Sequence, residues 1–220
     1  MKRAFLAALL ISGLSLGLIS ALQGCEGLVE PKTEVVTLHP FTASGTLKTG
    51  YKLHRSTYRT ILEYEDADQW VPDASPFGAA PNTYEVGPSS EHAAACWASP
   101  TDAKAVLCPV NPWSHTLRVY GVTKRPKTKK PRDPQPYGLV LSDGSRYEAR
   151  VGGAAAASKN GWSPTYYCFG KCKGGYAVVA NEKHSIDRIN GRWYVYVGEP
   201  VMNKPLKPKR VLVMRALFVG

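Results

Sequence analysis

The stretch GLVLSDGSRYEARV, residues 138–151, contains the strongest fold signal of this 220-residue chain. Residues 138–141 are apolar or small, residues 142–145 are turn formers, and residues 147–151 return to a strand-like composition. An Asp-Gly pair between two such runs is a strong signal for a β-hairpin. The stretch therefore predicts two antiparallel strands joined by a tight turn.

Strand-like segments also lie on both sides of this hairpin. Gly and Pro together make up 37 of the 220 residues, as 20 plus 17, and Tyr is the commonest aromatic residue. This composition favours short strands joined by turns over long helices. We expect a mainly β protein with one sandwich-like or barrel-like antiparallel domain and little helix beyond its N-terminal 24 residues. The predicted strands cover residues 34–39, 57–64, 115–122, 166–168, 175–180, 192–198 and 211–219. A hairpin is predicted over 95–110 and a long loop over 65–88.

The first 25 residues have the layout of a secretory leader. Lys2 and Arg3 precede an uncharged run over residues 4–22, as in a signal peptide. The next residues, Leu-Gln-Gly-Cys at 22–25, resemble the lipobox of bacterial lipoproteins, which implies that Cys25 carries a lipid and begins the mature chain. We expect a signal peptide over 1–24, a lipidated tether over 25–33 and a β-rich domain over 34–220. The alternative is an uncleaved anchor, because the run approaches the ~20 residues that cross a bilayer.

The remaining four cysteines form an even set in a chain that we expect to be exported. Such sets usually form disulfides. Three connectivities are possible, and the two local pairs require the least rearrangement. We therefore predict bonds between Cys96 and Cys108 and between Cys168 and Cys172. The rival, a four-cysteine zinc site, is disfavoured because neither spacing is the two-residue knuckle of such sites. No metal and no cofactor are expected.

The chain is strongly basic and concentrates positive charge in one segment. Its formal net charge is +11. Six cations and two prolines lie within nine residues, a composition typical of an exposed, extended loop. The loop either binds an anionic partner or serves only to keep the domain soluble. It contains no aromatic residue on which bases could stack, so sequence-specific nucleic-acid binding is not expected. The candidate anion-binding residues are Lys124, Arg125, Lys127, Lys129, Lys130 and Arg132.

Beyond the leader, the sequence contains no G-x-S-x-G, H-E-x-x-H, S-x-x-K or P-loop pattern. One G-x-S-x-G match, at residues 13–17, falls within the uncharged run of the leader, which has the composition of a signal peptide. The best acid and base candidates are His184 and Asp187, with Ser185 as the only nucleophile close in sequence. We expect that the protein is not an enzyme and assign no catalytic residue, because sequence proximity alone does not establish the hydrogen-bond geometry that a nucleophile, a base and an orienting acid require.

Several short motifs occur in a fixed order along the chain. They are Cys108-Pro109-Val110 with Trp113, followed by residues 139–144, 150–154, 167–168, 186–188 and 193–198. These motifs resemble those of small secreted proteins and lipoproteins of mycobacteria and related actinobacteria, a group without assigned activity. One departure is Tyr147, at a place where that group is expected to have a cysteine.

Together these observations predict a lipid-anchored protein on the extracytoplasmic face of the cell membrane. Its expected role is to bind or organise a component of the envelope, without catalysis. The expected partners are the membrane, through the N-terminal lipid, and an anionic envelope polymer, phospholipid headgroups or a phage protein. One alternative is a prophage or plasmid lipoprotein that excludes superinfecting phage. Another is a divergent cell-wall hydrolase that uses His184 and Asp187.

Overall fold

The computed structural model describes residues 30–54, 72–87, 92–152, 155, 157–172 and 176–220. Within these ranges the chain forms strands and no helix, so the mainly β prediction is confirmed. No helix in the described ranges is long and apolar enough to cross a membrane. The leader, Cys25 and the strand predicted at 57–64 lie outside them. The strands are β1 (Glu34–Leu38), β2 (Lys52–His54), β3 (Asp73–Ala74), β4 (Thr83–Val86), β5 (Ala93–Ala98), β6 (Ala105–Pro109), β7 (Thr116–Gly121), β8 (Gly138–Leu141), β9 (Arg146–Ala149), β10 (Ser163–Cys168), β11 (Ala177–Ala180), β12 (Asp187–Ile189), β13 (Arg192–Gly198) and β14 (Lys209–Val219).

Six strands of the second half close into an antiparallel barrel. Strands β8, β9, β10, β11, β13 and β14 pair in that order, and β14 then pairs with β8. The β8–β9 hairpin has Gly144 in the left-handed region, with φ of 79°. The predicted hairpin is therefore confirmed, and it contributes two adjacent strands of the barrel.

Alternate side chains of the barrel strands form the main hydrophobic core. Successive residues of a strand point to opposite faces, so residues two apart share the interior. On β14 the cluster contains Val213, Ala216, Phe218 and Val219. Val213 and Ala216 are three apart because the register shifts between Val213 and Arg215. The other barrel residues in this cluster are Leu139, Leu141, Tyr147, Ala149, Tyr166, Val178, Val195 and Val197.

The first half of the chain forms a second sheet, in the order β2-β7-β6-β5-β4-β3. Its Trp97 and Leu107 join the main core, whereas Cys96 and Val106, one residue away on the same strands, belong to a separate cluster. The Trp97 indole Nε1 donates to the Gly220 carbonyl O at 2.9 Å. One face of this sheet is thus buried against the core that the barrel supplies.

Two sequence expectations need correction in this part of the chain. Residues 65–88 were expected to form one long loop, but β3 and β4 lie within the described part of it, and three of the four residues of β4 are buried. Pairing of β4 with β5 stabilises a segment whose Asn and Pro content locally suggests a loop. In addition, β1 and β2 pair in parallel with β14 and β7 at the edges of otherwise antiparallel sheets.

Candidate anion-binding strap

Residues 124–132, named the strap below, connect the second sheet to the barrel and form no regular strand. The strap is nevertheless fixed by hydrogen bonds to β4 and the turn before it. The backbone N of Asn82 donates to Thr128 O at 3.2 Å, and the backbone N of Thr128 donates to Asn82 Oδ1 at 3.3 Å. The Thr128 hydroxyl donates to Thr83 O at 3.3 Å. The predicted extended loop therefore follows a defined path.

Arg125 differs from the other cations of the strap because its guanidinium is used within the fold. Its Nη1 donates to Ser99 O at 2.8 Å and to Ala105 O at 3.3 Å, at the two ends of the β5–β6 turn. The neighbouring Tyr84 hydroxyl donates to Pro126 O at 3.1 Å. Burial raises the pKa of Tyr84, and the charge of Arg125 opposes that rise. Arg125 therefore positions the strap instead of projecting from it.

The other five predicted cations are solvent-exposed. None of them forms a salt bridge with an acidic residue that the structure describes. Thr128 is bonded inward between two of them, so the lysines on either side of it are presented to solvent. These cations are Lys124, Lys127, Lys129, Lys130 and Arg132.

The residues that follow the strap are held by β12 and by the turn between β3 and β4. Asp133 Oδ1 lies 2.9 Å from Arg188 Nη1, and Arg188 is stacked on Trp193 with its Cζ 4.4 Å from the ring centroid. The backbone N of Gln135 donates to Pro76 O at 2.9 Å. Asp133, the acidic residue that follows the strap in sequence, therefore pairs with Arg188 and not with a cation of the strap.

Both predicted disulfides are present. Cys96 on β5 and Cys108 on β6 adjoin the paired residues Trp97 and Leu107, and their Cα atoms are 4.1 Å apart. Cys168 and Cys172 enclose a short loop after β10, with Cα atoms 6.0 Å apart. The described residues contain no group of three His, Cys, Asp or Glu side chains that could hold a metal ion.

The side chains of His184 and Asp187 both contact Tyr196, a residue that the sequence analysis did not single out. The Tyr196 hydroxyl donates to Asp187 Oδ2 at 2.8 Å and lies 3.4 Å from His184 Nδ1. Burial and the Asp187 carboxylate raise the pKa of Tyr196. Arg210 Nε lies 3.4 Å from the same Asp187 oxygen. Asp187 is therefore occupied by Tyr196 and Arg210, and does not orient His184 as an acid–base pair requires.

The His184 ring is instead packed as an aromatic surface group. It stacks on Trp162 with an interplanar angle of 6° and ring centroids 5.7 Å apart. Its backbone N donates to Asn181 Oδ1 at 2.8 Å, which fixes a tight turn. Ser185 is exposed and the described residues provide it with no hydrogen bond to His184. The signal available in the sequence was the alternation of residues 192–198, which places Tyr194 and Tyr196 on one face.

Comparison of the chain with protein-family models, curated proteins and solved structures found no match.

Proposed function

We propose that this protein is a membrane-anchored, extracytoplasmic binding module whose strap holds a phosphate-bearing component of the cell envelope. The anchor in this proposal is a lipid on Cys25, supported by the leader layout and the lipobox-like residues 22–25. The activity is binding, without chemistry. The observation that carries the proposal is a row of exposed cations on a backbone that the fold already holds in place.

The fixed path of the strap lowers the cost of binding. An extended loop that orders only on binding loses conformational entropy at that moment, about 1 to 2 kcal/mol for each residue fixed. The bonds of Thr128 to Asn82 and Thr83, and those of Arg125 to the β5–β6 turn, meet much of that cost during folding. The side chains beyond them can then contact phosphate groups without reorganising the backbone.

The charge of the chain supports the same partner. The formal net charge is +11, and removal of Lys2 and Arg3 with the leader would leave 11 − 2 = +9. A basic segment next to an anionic membrane contributes about 1 kcal/mol of attraction for each cation near the surface. This attraction falls with ionic strength because mobile ions screen exposed charges. A protein tethered at such a surface needs no deep cleft to stay associated with it.

The test is a binding measurement with two triple variants of equal charge. The full chain is immobilised by its N-terminus and exposed to a soluble phosphate polymer, to phosphatidylglycerol vesicles and to phosphatidylcholine vesicles. The strap variant carries Lys127→Gln, Lys129→Gln and Lys130→Gln. The control carries Lys204→Gln, Lys207→Gln and Lys209→Gln, which also removes three exposed lysines.

We expect the strap variant to bind the anionic ligands roughly 100-fold more weakly, from about 1 kcal/mol per cation. The control should stay within a few-fold of wild type. Preference for the soluble polymer or for phosphatidylglycerol vesicles identifies the source of the phosphate. Equal weakening by the two variants would mean that net charge, and not the strap, governs binding, and the proposal would be wrong.

The anchor is tested separately by the intact mass of protein extracted from membranes. A mass that matches an acylated chain beginning at Cys25, and its loss in Cys25→Ala, is the expected result. An unprocessed mass in wild type would contradict lipidation.

A further inference from the structure

The two disulfides lie in opposite surroundings. Cys96 and Cys108 are 0% and 1% exposed, inside the hydrophobic cluster of the second sheet. Cys168 and Cys172 are only partly buried and are four residues apart in sequence. Attack on a disulfide requires a thiolate to approach one sulfur, so the difference in solvent access gives the two disulfides different reactivity. The second bond is the one that a thiolate can reach.

The loop closed by Cys168 and Cys172 contains Phe169, Gly170 and Lys171. Lys171 is exposed and adjoins Cys172. A neighbouring cation stabilises a thiolate and so makes the sulfur a better leaving group. Burial in an apolar cluster has the opposite effect on Cys96 and Cys108. Both access and charge therefore favour exchange at the loop.

The same loop makes a contact between the barrel and the second sheet. The Phe169 ring stacks on Trp113, from the loop between β6 and β7, with ring centroids 4.7 Å apart. The Arg146 guanidinium carbon lies 5.8 Å from the Trp113 ring centroid. The Arg146 carbonyl O accepts from the Phe169 backbone N at 2.8 Å and lies 3.5 Å from Cys172 Sγ. Opening the disulfide would thus loosen a loop that holds one side of an aromatic stack.

We propose that the Cys168–Cys172 bond is a thiol–disulfide exchange site for a dithiol protein of the thioredoxin type. One thiolate of the partner attacks a sulfur of the pair, the S–S bond breaks, and a mixed disulfide forms while the other cysteine leaves as a thiolate. The second partner thiolate then attacks the mixed disulfide and releases the reduced pair. Two electrons and two protons pass to Cys168 and Cys172, and the partner becomes oxidised. This site is separate from the strap and does not depend on phosphate binding.

The first test compares the two disulfides of the folded, full-length protein. Dithiothreitol is added in increasing concentration, exposed thiols are alkylated without denaturant, and each cysteine is quantified by peptide mass. We expect Cys168 and Cys172 to be alkylated at a dithiothreitol concentration at least tenfold lower than Cys96 and Cys108. Similar concentrations for both pairs, or earlier alkylation of Cys96 and Cys108, would overturn the proposal. This comparison needs no variant and so does not depend on the folding of one.

The second test asks whether a protein dithiol reacts at this site. A thioredoxin variant that lacks its second, resolving cysteine is incubated with the full-length chain, and covalent complexes are mapped by mass spectrometry. We expect a complex through Cys168 or Cys172 that the double variant Cys168→Ala, Cys172→Ala does not form. Absence of a complex with wild type, or a complex through Cys96 or Cys108, would refute exchange with a protein partner.

A fluorescence change reports whether the loop responds to reduction. We expect emission from Trp113 to change when Cys168 and Cys172 are reduced, and the change to disappear in Trp113→Phe. The stack between Phe169 and Trp113 is the reason, since its separation alters the surroundings of the indole. An emission spectrum that is the same before and after selective reduction would exclude coupling between the disulfide and the second sheet.

Discussion

Arg125→Met separates the role of Arg125 in folding from the role of its neighbours in binding. Methionine keeps a long apolar stem but has no donor for the Ser99 and Ala105 carbonyls. The Ala105 carbonyl O also accepts from the Ser99 backbone N at 3.1 Å, so it keeps a partner. The loss is therefore mainly one charge-assisted bond, of 2.8 Å, to Ser99 O.

The size of the effect follows from that bond and its surroundings. Hydrogen bonds to charged groups contribute about 1.5 to 3 kcal/mol when well shielded. Arg125 is half-buried, and water near an exposed group weakens such interactions. We expect Arg125→Met to lower the free energy of unfolding by about 1 to 2 kcal/mol. At about 2 to 4 °C for each kcal/mol in a chain of this size, Tm should fall by about 2 to 8 °C.

The assay is urea unfolding followed by far-UV circular dichroism, with Lys127→Met as the matched control. Lys127 is exposed, so its substitution should change stability by less than about 0.5 kcal/mol while weakening phosphate binding. The two variants lose the same charge and gain the same side chain. If Arg125→Met unfolds like wild type, or if Lys127→Met is the less stable variant, the assignment of Arg125 to positioning is refuted.

Three further substitutions test the barrel. Gly138→Ala should destabilise the protein by about 1 to 3 kcal/mol in urea unfolding, as overpacking does, because its Cβ would lie 2.6 Å from Pro112 Cβ; a neutral result would contradict this packing. Leu139→Ala should cost about 2 to 5 kcal/mol in the same assay, since Leu139 is 0% exposed; a loss below 1 kcal/mol would argue against a filled barrel. Burial raises the pKa of Glu148 above its ordinary value of 4.5, despite a hydrogen bond from Tyr137 that lowers it. The folded state therefore binds the proton of Glu148 more tightly than the unfolded state does. The free energy of unfolding begins to fall as pH rises past 4.5, and the loss is complete once pH exceeds the raised pKa of the folded state. Glu148→Gln should gain stability relative to wild type at pH 7 but not at pH 4, and an equal difference at both values would oppose this account.

The local elements could be predicted because their signals lie within a few residues. The alternation of residues 192–198 and the turn at 142–145 required no partner to be recognised, and β13 and the β8–β9 hairpin follow them. Both disulfide pairs were predictable because each is close in sequence. The β4 strand was missed because its identity depends on pairing with β5, which the letters of the segment do not encode.

The position of the strap could be predicted from the sequence, but which of its cations bonds within the fold and which face solvent could not. A proline-spaced run of cations indicates an exposed segment whatever its neighbours are. That Arg125 bonds the β5–β6 turn depends on where that turn lies in three dimensions. Likewise, the partner of Asp187 is Tyr196, on another strand, and not the nearby His184.

The sequence by itself indicated the mainly β character, favoured the two local cysteine pairs and located the basic segment. Each of these is a consequence of side-chain type and short spacing, which act through local backbone preference and loop closure. Only the tertiary structure decided that β14 closes a barrel on β8 while also pairing with β1. Those contacts join distant parts of the chain, and they form because the interior must fill with side chains such as Val213 and Leu139. Packing of that kind is a property of all the strands together and of none of them alone.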